Sequence, residues 1–232
     1  MKVSILIPLY NEEKTVIEIL KKIDLEKKNL SDVDLEIITI NDGSTDNSKK
    51  LLENNSSLFS HFISYEKNKG KGHALREGFK KASGEICLIQ DADLEYTPDN
   101  YKNLLYPFQK YNADVVYGSR FKSVGVNKIL NFWHMVANKI ITTFSNIFSN
   151  YNFTDVEVGF KAFKTELIKK IELKENSFAF EVEVTQKISK IKPKPIIFEV
   201  GISYFGRSYK EGKKITYKDA FAAIIAIVRY SF

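Results

Sequence analysis

The tripeptide Asp91-Ala92-Asp93 stands directly after the apolar run 86–90. Carboxylates at i and i+2 project to the same side of an extended chain, so the two can converge on one cation. Hard oxygen donors suit Mg²⁺ or Mn²⁺, and an ion held by one or two carboxylates completes its sphere with phosphate oxygens and water. That arrangement serves a nucleoside diphosphate leaving group, whose negative charge grows as the bond to it breaks. Taken alone, the tripeptide is an acidic turn common by chance. Three other polar tips give it weight: Pro8-Leu9-Tyr10-Asn11-Glu12, Asn41-Asp42-Gly43-Ser44 and Gly118-Ser119-Arg120, each following an apolar run.

Those tips need strands to carry them. The runs 3–7, 35–40, 62–65, 86–90 and 115–118 read as strands, and the stretches between them read as helices. In the first helix, Val16, Ile19, Leu20 and Ile23 recur at i, i+3, i+4 and i+7, with Asn11 as candidate cap. Alternation of this kind predicts an α/β fold, a doubly wound and mostly parallel sheet with helices on both faces. Ligands of such sheets bind beyond the carboxyl ends of the strands. The second half is less regular: an amphipathic helix over 132–148, a strand near 159–163, a helix over 181–191, strands near 196–204 and a last helix from Thr216. We expect a catalytic domain over 1–205, with a basic loop and carboxy-terminal amphipathic helix over 206–232.

Composition narrows the classes. A chain of 232 residues with 44% hydrophobic and 28% charged residues suits one sizeable core. The single cysteine, Cys87, excludes a disulfide framework within the chain and points to a reducing compartment. The amino terminus reads as a strand and turn rather than a signal-peptide core, and the longest apolar run, 221–228, is far short of the ~20 residues a spanning helix needs. The net charge of +6 suits phosphate groups, nucleic acid or an anionic membrane surface. The Rossmann G-x-G-x-x-G and the P-loop G-x-x-x-x-G-K-[ST] are both absent. His61, His73 and His134 lack a constellation, so zinc is not expected and His73 is read as a packing residue.

Four motifs in order resemble those of family-2 glycosyltransferases with the GT-A fold: 4–12, Asn41-Asp42-Gly43-Ser44-Thr45-Asp46, Asn68-Lys69-Gly70-Lys71-Gly72 and Gln90-Asp91-Ala92-Asp93-Leu94-Glu95. Gly118-Ser119-Arg120-Phe121, Thr154-Asp155-Val156-Glu157 with Lys161, Phe180-Glu181-Val182-Glu183 and the stretch 204–214 resemble the dolichyl-phosphate mannose and glucose synthase branch, a polyprenyl-phosphate glycosyltransferase branch.

The resemblance implies roles. Pro8, Tyr10 and Glu12 line a nucleoside pocket, with Asp42 reaching the base and Ile40 flanking it. As an alternative, Glu12 is a carboxylate in a first helical turn. Asp91 and Ala92 meet the nucleotide sugar, and Asp93 and Glu95 hold Mg²⁺ or Mn²⁺; many members carry Gln where this chain has Glu95. Arg120 contacts phosphate, while Arg207 and Lys213 close over diphosphate and acceptor, so that Asp93, Arg120, Arg207 and Lys213 form the catalytic set. Lys210 is read as part of a solvated basic turn. Asp155 and Glu157 lie on the acceptor side, where they orient the acceptor, bind a counterion, or pair with Lys161 and Arg120.

The expected reaction is an inverting transfer of a hexose from a GDP-mannose or UDP-glucose type donor to a polyprenyl monophosphate. The alternatives are transfer to a hydroxyl of a lipid-linked glycan or other cell-envelope acceptor, and a non-catalytic nucleotide- or nucleic-acid-binding module. The scattered basic residues argue against nucleic acid as a partner. The expected location is cytoplasmic, peripheral on the inner face of the membrane, either directly or through a membrane-embedded partner subunit. Direct docking would use the stripe Phe132, Val136, Ile140, Phe144 and Ile147 and the stripe Tyr217, Phe221, Ile224, Ile225 and Val228. Such helices equally often pack on their own core.

Overall fold

The computed structural model describes residues 1–122, 127–129, 131–207 and 217–232. Lys210, Gly212, Lys213 and Lys214 lie outside the described residues, and so does the side chain of Tyr217.

Among the described residues, seven strands form one sheet. They are β1 (Lys2–Leu9), β2 (Asp34–Asp42), β3 (His61–Tyr65), β4 (Ile86–Ile89), β5 (Val115–Ser119), β6 (Lys161–Lys164) and β7 (Ile197–Gly201), in the order β3-β2-β1-β4-β6-β5-β7. The helices are α1 (Val16–Lys27), α2 (Ser48–Glu53), α3 (Lys71–Lys81), α4 (Tyr101–Tyr111), α5 (Phe132–Ser149), α6 (Thr165–Lys169), α7 (Phe180–Ser189) and α8 (Tyr217–Ser231). β4, Ile-Cys-Leu-Ile, is buried along its whole length, as a central strand covered on both faces must be.

β1 pairs in parallel with β2 on one side and with β4 on the other. The chain leaves β1 in one direction to build β2 and β3, then returns to place β4 on the opposite flank. A crevice opens at that reversal, beyond the carboxyl ends of β1 and β4. β6 runs antiparallel to both its neighbours, with Leu88 opposite Ala162 and Tyr117 opposite Lys161. Its amino end therefore lies at the carboxyl edge of the sheet, so the segment 150–160 arrives at the same crevice.

The stripe Val16, Ile19, Leu20 and Ile23 is fully buried, as its spacing predicts. Its predicted start needs correcting. Helix α1 begins at Val16 with Thr15 as N-cap, and Asn11 instead turns the chain at φ 51° while its Oδ1 accepts from the Thr45 amide at 2.8 Å. Glu12 accordingly precedes the helix rather than occupying its first turn.

α5 departs from the usual arrangement. Thr142, Ser145 and Ser149 are buried together with Ile141. The inward polar groups are consumed: Thr142 Oγ1 accepts from the Val156 amide at 3.3 Å, and Ser145 Oγ accepts from Gln186 Nε2 at 2.8 Å. Phe132, Trp133, Ile140 and Ile147 point outward, with Trp133 75% and Ile147 70% exposed. α8 buries Ala223, Ala226 and Ile227 and leaves Phe221, Ile225 and Val228 exposed. The two helices pack on one another, and their carboxyl ends meet where Phe148 and Phe232 stack edge to face at 6.0 Å. Among the described residues, no helix is long and apolar enough to cross a membrane.

Candidate active site

A cleft of about 420 Å³ occupies the crevice. Its walls bring together Pro8, Tyr10, Glu12, Asp42, Asp91, Ala92, Asp93, Glu95, Arg120, Glu157 and Arg207, residues drawn from four strand ends and two later segments. Ile40 is the exception among the expected pocket residues. It is fully buried under Gly78 of α3 and does not line the cleft, because its side chain points to the helix-covered face of β2.

The turn after β4 is shaped by strain and by its own carboxylate. Leu94 has a φ of 64°, a left-handed conformation costly for a residue with a branched side chain. Asp93 Oδ1 accepts from the Glu95 amide at 3.0 Å and holds the turn. Glu95 in turn anchors a distant segment: its Oε2 accepts from the Tyr204 hydroxyl at 2.9 Å, and its Oε1 accepts from the Arg207 amide at 2.7 Å.

Arg207 is thereby delivered into a ring of carboxylates. Its Nη1 and Nη2 donate to the two oxygens of Glu12 at 3.0 and 3.1 Å, and Nη2 also donates to Asp93 Oδ2 at 3.1 Å. The nearest oxygen of Glu95 is 3.8 Å from Arg207 Nε, a nitrogen that is buried with no hydrogen-bond partner among the described residues. One cation thus faces three carboxylates. Burial and then the neighbouring Asp91 and Glu95 push the Asp93 carboxyl up to about 7, against the pull of Arg207.

That excess of negative charge fits a divalent ion. Among the described residues no three acidic, histidine or cysteine side chains are grouped to hold a metal by themselves. Asp93 and Glu95 would therefore supply two ligands, leaving the rest to phosphate oxygens and water, which suits Mg²⁺ or Mn²⁺.

Asp91 is engaged differently from Asp93. Lys71, in the first turn of α3, meets Asp91 at 2.8 Å and Glu181 at 3.0 Å. Burial alone would lower the Lys71 pKa, but Asp91 and Glu181 outweigh it and raise it. Lys161, fully buried, donates to Glu181 and to the Val156 and Val158 carbonyls. The path Asp91–Lys71–Glu181–Lys161 ties β4, α3, α7 and β6 together under the cleft. Gly159 makes this approach feasible: a Cβ there would stand 2.2 Å from Asp91 Oδ2.

Arg120 and Asp155 form a bidentate pair, Nε to Oδ2 and Nη2 to Oδ1 both at 2.7 Å, with Asp155 fully buried and also accepting from Asn138 at 3.2 Å. The Arg120 guanidinium also lies 5.4 Å from the Tyr204 ring centroid. It reaches the cleft wall held by its partner rather than as a loose cation. Of the pairings weighed for the acidic pair of 155–157, Asp155 takes Arg120, while Lys161 goes to Glu181 and not to Glu157. Glu157 keeps one carboxylate oxygen, Oε1, shut from solvent with no hydrogen-bond partner among the described residues. Burial and then Glu181 push its carboxyl up to about 7, against Lys161 and Arg120.

On the nucleoside side, Asp42 accepts from the Lys69 and Gly70 amides at 2.9 and 2.7 Å, which clamps the loop before α3 against β2. Gly70 has a φ of 97° and backs onto the Asn176 carbonyl, where a side chain has no room. His73 is half-buried beside the Tyr65 ring at 5.3 Å, and burial with Lys69 and Arg76 lowers its pKa, in keeping with a neutral packing residue.

Lys71, Glu181, Tyr96 and Tyr204 line the cleft without having been assigned roles from sequence. A signal for two of them was present. An aspartate at the end of a buried strand needs a countercharge, and Phe180-Glu181-Val182-Glu183-Val184 puts carboxylates among apolar residues.

Comparison with known proteins agrees with this architecture. The chain is 30% identical over 218 residues to dolichol-phosphate mannosyltransferase of Pyrococcus furiosus, covering 93% of this chain and 61% of that protein. It is 27% identical to UDP-N-acetylglucosamine–dolichyl-phosphate N-acetylglucosaminyltransferase of Methanococcus voltae over 72% of this chain and 71% of that one. The chain thus spans less than two thirds of the first of these relatives. In fold it is similar to glucosyl-3-phosphoglycerate synthase of Mycobacterium tuberculosis, solved with Mn²⁺, uridine diphosphate and glucosyl-3-phosphoglycerate, at a TM-score of 0.74 and 18% identity over 99% of this chain and 79% of that one. The model of glycosyl transferase family 2 matches residues 4–172, and the chain belongs to that family.

Proposed function

We propose that the chain is an inverting, metal-dependent hexosyltransferase. It takes the sugar of a nucleoside diphosphate hexose, of the GDP-mannose or UDP-glucose type, and transfers it to a polyprenyl monophosphate. The observation that carries this is the carboxylate ring of Glu12, Asp93 and Glu95 around one guanidinium at the strand reversal. The names of the relatives support the acceptor class.

Pro8, Tyr10 and Asp42 form the nucleoside wall, and Asp91 and Ala92 meet the sugar diphosphate. Mg²⁺ or Mn²⁺ held by Asp93 and Glu95 would neutralise charge growing on the diphosphate as the glycosidic bond breaks. Arg207 exchanges Glu12 and Asp93 for phosphate oxygens when the donor arrives, and Lys213 joins it. Arg120, oriented by its pairing with Asp155, lines the cleft wall as a hydrogen-bond donor for a phosphate oxygen. A phosphate acceptor is already anionic at neutral pH, so no strong base is required.

The acceptor lipid stays in a bilayer, and the outward apolar residues of α5 and α8 supply a surface for it. We place the chain on the cytoplasmic face of the membrane, lying on it without spanning. The decisive experiment incubates the protein and Mn²⁺ with labelled GDP-mannose or UDP-glucose and either dolichyl or undecaprenyl phosphate. The expected product is a labelled lipid whose sugar has the opposite anomeric configuration to the donor, read by NMR. Efficient transfer to a sugar or peptide hydroxyl, with none to the polyprenyl phosphates, overturns the acceptor assignment.

A further inference from the structure

Glu157 lines the cleft, and the mechanism above gives its carboxylate no role. It belongs to the segment 150–160, which β6 brings to the carboxyl edge of the sheet. Two residues further on, Gly159 packs its backbone against Asp91 and Lys71, so this segment forms the wall beside the expected sugar position. The other charged groups around it are committed: Asp155 to Arg120, Lys161 and Lys71 to Glu181. Oε1 of Glu157 is left buried without a partner among the described residues, although it belongs to a residue lining the cleft. An unmet acceptor is costly to keep and is satisfied once a donor enters the cleft.

We propose that Glu157 is a specificity-determining residue that hydrogen-bonds a hydroxyl group of the sugar being transferred. It rests on the cleft taking a nucleotide sugar, as proposed above. The carboxyl can serve a hydroxyl in either protonation state, accepting when ionised and donating when neutral. On this assignment it meets the sugar and not the nucleoside diphosphate, so it distinguishes sugars without altering affinity for the leaving group. A site built to hydrogen-bond a hydroxyl discriminates strongly against an analogue that lacks it.

Calorimetry on the full chain with Mn²⁺ tests this, using UDP, GDP, UDP-glucose and GDP-mannose, then monodeoxy forms of the sugar nucleotide that binds. The expected result is that Glu157→Ala leaves the Kd of the bare diphosphate unchanged and weakens the sugar nucleotide about tenfold. With one monodeoxy donor, wild type and Glu157→Ala bind alike, because the hydroxyl that Glu157 meets is gone. Glu157→Gln, which keeps shape and hydrogen-bonding groups, restores most of the lost affinity and guards against a folding defect. Equal loss for the diphosphate and the sugar nucleotide makes the residue structural and overturns the assignment. So does an effect confined to the KM of the lipid acceptor, or an unchanged Kd for every sugar nucleotide. If wild type binds none of the four nucleotides, the nucleotide-sugar reading falls, and this assignment with it.

Discussion

Arg207 and Glu12 lie 195 positions apart and meet through both guanidinium Nη atoms and both carboxylate oxygens, at 3.0 and 3.1 Å. The pair closes the cleft between the end of β1 and the segment after Tyr204. Because Asp93 shares the same guanidinium, a metal ion and Arg207 compete for overlapping negative charge.

That competition gives a direct expectation. Removing the guanidinium in Arg207→Ala should tighten Mn²⁺ binding in the absence of nucleotide, on the order of tenfold. Transfer activity should fall in the same variant, since the cation is lost from the diphosphate. Electron paramagnetic resonance titration of free Mn²⁺ measures the first effect without turnover. Weaker Mn²⁺ binding in Arg207→Ala would mean that the arginine supports the metal rather than excluding it.

Asp93→Asn keeps the shape of the turn and removes one anionic ligand. Activity should drop about a hundredfold or more, while the melting temperature holds or rises because a crowded buried carboxyl has been neutralised. Glu95→Gln should be mild, since its carbonyl oxygen can still accept from the Arg207 amide and its amide group can donate to Tyr204. Chelator should abolish wild-type turnover. Full activity in excess chelator would remove the metal from the scheme.

Glu157 makes stability depend on pH. Its carboxyl titrates near 7 in the folded chain against 4.5 unfolded, so the folded state holds the proton more tightly. The stability this confers is complete below pH 4.5 and is lost as pH rises through 7. A difference of that size corresponds to about 3 kcal/mol at most. Urea unfolding of wild type and Glu157→Gln should give a gap that opens across this interval in favour of the variant. A gap that is flat with pH shows that Glu157 does not titrate there.

Membrane docking predicts that the wild type sediments with anionic liposomes and less with neutral ones. Trp133, 75% exposed, should shift its fluorescence to the blue on binding. Ile147→Glu and Ile225→Glu place charges on outward positions and should release the protein. Phe144 is a poorer probe, since it is half-buried against Phe148 at 5.0 Å. If the wild type ignores anionic liposomes, a membrane-embedded partner becomes the better account of the exposed faces.

Much of the frame was legible in sequence because it depends on local periodicity. Val16, Ile19, Leu20 and Ile23 announce their helix by spacing, and the residues 86–89 announce a central strand by having no polar member. The loaded strand ends also declared which edge carries the site. What escaped depended on partners remote in the chain. The antiparallel course of β6 is set by its pairing with β4 and β5, which its own four residues do not encode. Pairing with Arg120 was one of several readings open for Asp155 in the sequence, and only the fold, which brings the two together across 35 positions, shows Asp155 taking Nε and Nη2. Of the α5 stripe, Phe132, Ile140 and Ile147 are exposed while Val136 and Phe144 are half-buried, and the period alone did not say which face would turn inward. Thr142 and Ser145 settle that by meeting Val156 and Gln186, neither of which a helical wheel contains.

The reversed direction of β6 bears on how such a chain can change its specificity over evolution. A parallel strand offers the site only the loop that leaves it, and that loop must also start the next helix. β6 offers the loop that enters it, which begins after α5 has ended and carries no helix of its own. Within the segment 150–160, substitutions at the cleft-lining Glu157 can therefore remodel the wall, while Asp155, Val156, Val158 and Phe160 stay buried and keep α5 and the register of β6 as they are. Exchanging this segment between relatives is the smallest graft by which a new sugar preference could be installed.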